Sequence, residues 1–155
     1  MDKKKEETKS LRSYSEFKRA LRLRESSDDY ACENRLGYLG AYQFGMARLC
    51  DLGLTRRIAP GMGNKSFAFV PPYSKAGFLT DAKLQDQCFD LHVFRLKKYI
   101  MRYCPTDNLS GAIAAAHLLG PGGAEAFIAR GEDGCDAFGT KCSEYFEKFR
   151  GYQIL

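Results

Sequence analysis

Apolar residues in this chain recur at three- and four-residue steps in separate blocks, with polar, glycine-rich stretches between them. Tyr14, Phe17 and Leu21 share one helical face, and Ser13 with Glu16 has the spacing of a capping box. A helix is therefore predicted from near Ser13 to Glu25. Residues 26–40, rich in Ser, Asp, Asn and Gly, read as a loop. A second helix is expected over about Gln43 to Leu52, stopped by Gly53. Residues 55–75 read as irregular connection with at most a short strand or hairpin near Phe67 to Val70. Thr80 or Asp81 then caps a long helix to about Tyr103, whose stripe of Phe89, Val93, Leu96, Ile100 and Tyr103 marks it as the central core helix. Two shorter helices, Leu109 to Leu119 and Gly122 to Ala129, should meet at a Gly120-Pro121-Gly122 turn. A loop containing Cys135 leads to a last helix over Ser143 to Tyr152. With no internal repeat, the pattern predicts one mostly α domain over residues 11–155, behind a basic tail at residues 1–10 that has almost nothing to bury.

Composition narrows this picture only in part. A chain of 155 residues suits one domain, and 45% hydrophobic with 28% charged residues suits a soluble one. No run approaches the roughly 20 apolar residues of a membrane span, so no membrane insertion is expected. Met1 to Ser10 holds four lysines and lacks the apolar core of a secretory signal. A net charge of +5 favours polyanionic partners, which include both peptidoglycan, through its peptide carboxylates, and nucleic acid. The six cysteines lack paired Cys-x-x-Cys spacing, which argues against a zinc site. At least one disulfide is expected, with Cys135 and Cys142 as the candidate pair; buried free thiols are the alternative. Gly61-Met62-Gly63 and Gly120-Pro121-Gly122-Gly123 lack the Gly-Lys-Ser/Thr ending of a phosphate loop and read as turns.

Candidate chemistry lies in the first third. Glu25 is followed by Ser26 and, eighteen positions after the acid, by Gln43 at the end of Gly40-Ala41-Tyr42-Gln43. The arrangement resembles the soluble lytic transglycosylase and goose-type lysozyme superfamily, in which Glu-Ser precedes a Gly-Leu-Met-Gln stretch at that interval. Ala115-Ala116-His117-Leu118-Leu119-Gly120-Pro121-Gly122 is similar to the family's Ala-Ala-Tyr-Asn-Ala-Gly-Pro-Gly segment, with His117 for the tyrosine and Leu118 for the asparagine. Cys142-Ser143-Glu144-Tyr145 through Phe149 resembles its closing motif, with Tyr145 at the tyrosine. These segments stand in family order across about residues 14 to 150.

The resemblance implies a single lysozyme-like helical domain that cuts peptidoglycan glycan strands between N-acetylmuramic acid and N-acetylglucosamine, with no cofactor and no metal. It implies a secreted or periplasmic site of action, a monomer, and a protein inhibitor or immunity protein as a further partner. Glu25 would be the general acid, its pKa raised by enclosure against the first helix and rings such as Tyr42 or Phe44. Gln43 would contact a sugar N-acetyl group, Tyr145 would hold Glu25, and His117 would border substrate or serve as a structural histidine. Ser26 reads as a local hydrogen-bonding residue. Lytic transglycosylation needs only Glu25 and is the favoured reaction; hydrolysis, by a muramidase or chitinase-like enzyme, would recruit a second carboxylate such as Asp28 or Asp29. Competing readings are a non-catalytic glycan-binding protein and, from Arg95, Lys97, Lys98 and Arg102, a nucleic-acid binder; the latter pattern is that of any solvated helix face, so no nucleic-acid partner is expected.

Overall fold

The computed structural model describes residues 10–155, so the expected basic tail lies outside the described residues except for Ser10. Helix α1 spans Tyr14–Ser26 and opens with the predicted capping box: Glu16 N donates to Ser13 Oγ at 3.1 Å and Ser13 N to Glu16 Oε2 at 2.6 Å. Phe17 and Leu21 are fully buried on its inner face, each contributing roughly 1.5–3 kcal/mol of apolar burial. The helix stops without a glycine. Ser27 and Asp28 take left-handed φ values of 57° and 63°, and their N–H groups return to Leu23 O and Arg22 O. That closure leaves Glu25 in the last turn.

Helix α2, Met46–Asp51, is shorter than the expected Gln43–Leu52 helix. Residues 40–43 form a tight turn instead, locked by reciprocal Leu39–Phe44 backbone bonds of 3.0 and 2.8 Å. Strands β1 (Thr55–Arg57) and β2 (Phe67–Phe69) pair antiparallel with Thr55 opposite Phe69, so the region read as irregular does contain a short hairpin. Helix α3, Lys75–Leu79, was not anticipated; five residues are too few for a periodic pattern to register.

Helix α4, Ala82–Tyr103, is capped by Asp81, whose side chain accepts from Leu84 N at 3.0 Å. Phe89, Val93, Leu96 and Ile100 are buried as expected, but Tyr103 is half exposed. At the end of the helix its ring lies against Tyr99, centroids 4.7 Å apart, instead of entering the core. Helix α5, Leu109–Arg130, joins both predicted short helices through a kink at Gly120, where φ is 79° and Pro121 follows. By length and composition alone α5 could cross a membrane, which corrects the expectation that no stretch approaches that length. Its first half, Ser110–Ala116, is buried inside the domain. Helix α6, Cys142–Lys148, ends before the expected Tyr152, which instead donates its backbone N–H to Ser110 Oγ at 3.2 Å. A Cβ at Gly111 would stand 2.1 Å from Phe146 O, so α5 and α6 approach as closely as a glycine allows.

All six cysteines are free thiols, which corrects the expected disulfide. Cys135 bridges antiparallel to Lys141, and side chains alternate along such a pair. Cys142 is therefore turned to the other side, buried, while Cys135 is exposed.

The Gly40 and Gly53 turns separate two costs. Both have positive φ, 79° and 88°, but a Cβ at Gly40 would meet Gln85 Oε1 at 2.2 Å whereas one at Gly53 meets nothing within 4 Å. Gly53→Ala should cost about 1–2 kcal/mol from backbone conformation alone, and Gly40→Ala distinctly more. Urea unfolding of the two variants measures this; equal losses would show that the approach to Gln85 is not constraining.

Candidate active site

Glu25 and Tyr145 come from opposite ends of the chain and meet at a cleft. The Tyr145 hydroxyl donates to Glu25 Oε1 at 2.7 Å. Tyr145 is buried on α6, and Glu25 is half-buried at the end of α1. Burial strips water from the carboxylate and pushes the Glu25 pKa up to about 7, against the lowering pull of the Tyr145 hydrogen bond and the Arg24 guanidinium; the negative charge of Asp136 adds to the rise. Burial and the neighbouring Glu25 raise the Tyr145 pKa, so its hydroxyl keeps its proton. Near neutrality Glu25 is present in both forms, as a group that must first give and then take a proton requires.

Gln43 reaches the same cleft from the turn before α2 rather than from a helix. Its φ is 52°, a left-handed conformation that costs a non-glycine residue about 1–2 kcal/mol. Its backbone N–H and its side-chain Nε2 both donate to Gly40 O, at 3.1 and 2.9 Å. Ser26 ties this turn to α1, donating its hydroxyl to Ala41 O at 2.8 Å and accepting from Asp29 N at 3.1 Å. It is a local hydrogen-bonding residue, as its place in the sequence suggested.

The cleft around Glu25 has a volume of about 400 Å³ and is walled by Cys32, Gln43, Asp136, Phe138 and Tyr145. It continues past Asn34, Tyr38 and Leu118 into a further hollow of about 530 Å³ beside Arg48 and Arg57. Glu25 thus sits within an open groove rather than a closed pocket. Two exposed rings, Tyr38 and Phe138, lie along it. The Arg35 guanidinium lies 5.0 Å from the Phe138 ring centroid, joining the loop after α1 to the loop before α6. Larger hollows of about 680 and 630 Å³ lie elsewhere, but neither brings a buried carboxyl against a tyrosine hydroxyl. Among the described residues no three His, Cys, Asp or Glu side chains gather as metal ligands.

Sequence reasoning missed Asn34, Tyr38, Asp136 and Phe138. Only the exposed phenylalanine in a Gly- and Asp-containing loop offered a signal. Several expected site residues lie elsewhere. Tyr42 is fully buried, stacked on Phe89 at 4.1 Å and 6°; its hydroxyl donates to Asp86 Oδ1 at 2.7 Å and accepts from Arg22 Nη1 at 2.9 Å. Phe44 is a core ring packed against Phe78 and Phe89. Neither ring encloses Glu25; Tyr145 and Phe138 border its cleft instead. Asp28 Oδ1 is paired with Arg22 Nε at 2.6 Å, and Asp29 Oδ1 accepts from Ala31 N at 2.9 Å. Neither lines the Glu25 cleft.

His117 is tied into the core and also lines the further hollow into which the groove continues. Its Nε2 lies 2.7 Å from Tyr42 O, and since a carbonyl only accepts, Nε2 carries the proton. Nδ1, 3.2 Å from His92 Nε2, is then the acceptor. Burial holds the His117 pKa down to about 4 and that of His92 well below its ordinary value, so both rings are neutral.

No protein-family model, no curated protein and no solved structure matches this chain.

The Glu25 carboxyl titrates near 4.5 when unfolded and near 7 when folded. Between those values the folded state binds more protons, so its stability is full below pH 4.5 and declines as pH rises through 7. Glu25→Gln removes the decline. Relative to wild type it should be near neutral at pH 4 and more stable at pH 8, by on the order of 1–3 kcal/mol. Urea unfolding at the two pH values tests this, and a pH-independent difference would mean that Glu25 ionises as freely as in water.

Proposed function

We propose that this domain cleaves the glycan strand of peptidoglycan between N-acetylmuramic acid and N-acetylglucosamine, with Glu25 as general acid and then base. The observation that carries the reading is the 2.7 Å hydrogen bond from Tyr145 to Glu25. It joins the first and last of the segments that resemble the lytic transglycosylase and goose-type lysozyme superfamily. The raised Glu25 pKa supplies the proton that a departing glycosidic oxygen needs. The open groove suits a polymer passing through, not a small molecule enclosed. Exposed Tyr38 and Phe138 offer flat apolar faces to sugar rings, and the Gln43 amide borders the cleft with the donor and acceptor chemistry of an N-acetyl group. A net charge of +5 suits a wall bearing peptide carboxylates. The site of action would then be secreted or periplasmic.

In this mechanism the protonated Glu25 gives its proton to the bridging oxygen as the bond to the muramic acid C1 breaks. The resulting Glu25 carboxylate then stabilises positive charge at C1 and can accept a proton from the incoming nucleophile. That nucleophile is either water or the sugar's own 6-hydroxyl, which would close a 1,6-anhydro ring.

Glu25→Gln keeps the shape of the side chain but has no proton to deliver, and should lower muropeptide release by roughly 10²–10⁴-fold. Wild-type turnover by the folded variant would remove Glu25 from the mechanism. Tyr145→Phe should lose only roughly tenfold, the scale of one hydrogen bond to a charged group. Because the lost bond holds the Glu25 pKa down, the alkaline limb of the rate profile should move to higher pH. Glycan binding without turnover by wild-type protein on several wall types would favour the binding-protein reading.

A further inference from the structure

We propose that Asp136 is the base that activates water at the bond Glu25 protonates, so that cleavage is hydrolytic. The inference rests on the proposed glycan cleavage with Glu25 as acid, and it moves the base step from Glu25 to Asp136. Among the described residues, Glu25 and Asp136 are the only carboxylates that line the central cleft, and Asp136 also borders the hollow into which the groove continues. The other acids of the loop after α1, Asp28, Asp29 and Glu33, line neither this cleft nor its continuation.

Asp136 is also held in place. Its Oδ1 accepts from Phe138 N at 3.0 Å and Thr140 N at 2.8 Å, and its own N–H donates to Thr140 O at 3.0 Å. The base of the loop is closed by the Cys135–Lys141 bridge and by Cys142 N to Gly134 O at 2.8 Å. That anchor is the start of α6, the helix that carries Tyr145. One element therefore sets both the hydroxyl that holds the acid and the second carboxylate. With Oδ1 engaged by the loop, Oδ2 is the oxygen left to take a proton. The charge of Asp136 reaches Glu25, contributing to its raised pKa.

The step balances as a hydrolysis. The Glu25 proton goes to the bridging oxygen, which leaves with the electron pair of its bond to C1. Water forms the new bond to C1 and passes its proton to Asp136. Proton return through solvent restores Glu25 as acid and Asp136 as base. The new reducing end carries the oxygen of water with inverted configuration at C1.

Asp136→Asn isolates the role, because the amide oxygen can still accept from Phe138 and Thr140 while the base is lost. Wild-type protein digesting purified peptidoglycan in heavy-oxygen water should yield reducing ends that carry the label. Asp136→Asn, with a wild-type melting curve, should release them roughly 10²–10⁴-fold more slowly. Sodium azide added to folded Asp136→Ala should restore cleavage as glycosyl azide, which a structural role would not produce. Unlabelled 1,6-anhydro ends from the wild type would overturn the role of Asp136 and leave glycan cleavage standing. Retained configuration at C1, or full-rate labelled cleavage by Asp136→Asn, would also overturn it. No cleavage by the wild type would overturn the parent reading and this one with it.

Discussion

The buried amide of Gln85 holds together the part of the fold on which the site depends. Its Oε1 accepts from Ala41 N at 2.9 Å, and its Nε2 donates to Tyr30 O and Phe78 O, each at 2.8 Å. Three backbone segments distant in sequence are thereby fastened to α4: the loop after α1, the turn before α2 and the end of α3. A buried polar group of this kind must be satisfied or it destabilises, by about 1–3 kcal/mol for each partner lost. Full satisfaction also makes it specific, since the amide accepts one arrangement of those segments and few others. Gly40 belongs to the same constraint. Its left-handed φ and the 2.2 Å approach that a Cβ would make to Gln85 Oε1 leave room for hydrogen alone.

From that anchor the placement of the site follows. The turn fixed at Ala41 puts Tyr42 inward, stacked on Phe89, and so turns Gln43 toward the cleft. The carbonyl of Tyr42 receives the His117 proton, which couples the turn to the alanine-rich half of α5. The bare Gly111, where a Cβ would stand 2.1 Å from Phe146 O, lets α6 lie close against α5. That closeness brings the Tyr145 hydroxyl to Glu25. Packing thus sets the geometry of the cleft through a chain of contacts that runs from Gln85 to Tyr145.

Period and capping made the helices legible: the Ser13–Glu16 box, the Asp81 cap and the Phe89–Ile100 stripe are local signals with local causes. Glu25 and Tyr145 were singled out by a resemblance between short segments, and the structure brings them within 2.7 Å of each other. What could not be read was orientation. Tyr42 and Phe44 flank Gln43 in sequence, yet in a tight turn neighbouring side chains diverge, and both rings went to the core. Asp28 and Asp29 were adjacent to the acid in sequence but were captured by Arg22 and by a backbone N–H. Asp136 was invisible for the complementary reason: it reaches the cleft through a tertiary approach across a distance of over a hundred residues, and its loop carries no periodic signal. The disulfide expectation failed on the alternation of side chains across the Cys135–Lys141 bridge, which cysteine spacing does not encode.

Two local departures from good folding practice meet at the cleft, while the left-handed Ser27 and Asp28 close α1. Gln43 holds a left-handed backbone that its side chain does not favour, and Glu25 holds a carboxyl where water is scarce. Either could be relieved by a single substitution: a glycine at the turn, or an amide at the helix end. The Ser13 and Asp81 caps and the apolar stripe of α4 follow local rules, and no buried side-chain polar atom lacks a partner among the described residues. A strained turn residue and a desolvated carboxyl at one cleft are departures of the kind that cluster at functional sites. The cleft is also where α1 and α6 are tied together by the Tyr145–Glu25 hydrogen bond, so one contact both joins the two helices and tunes the acid.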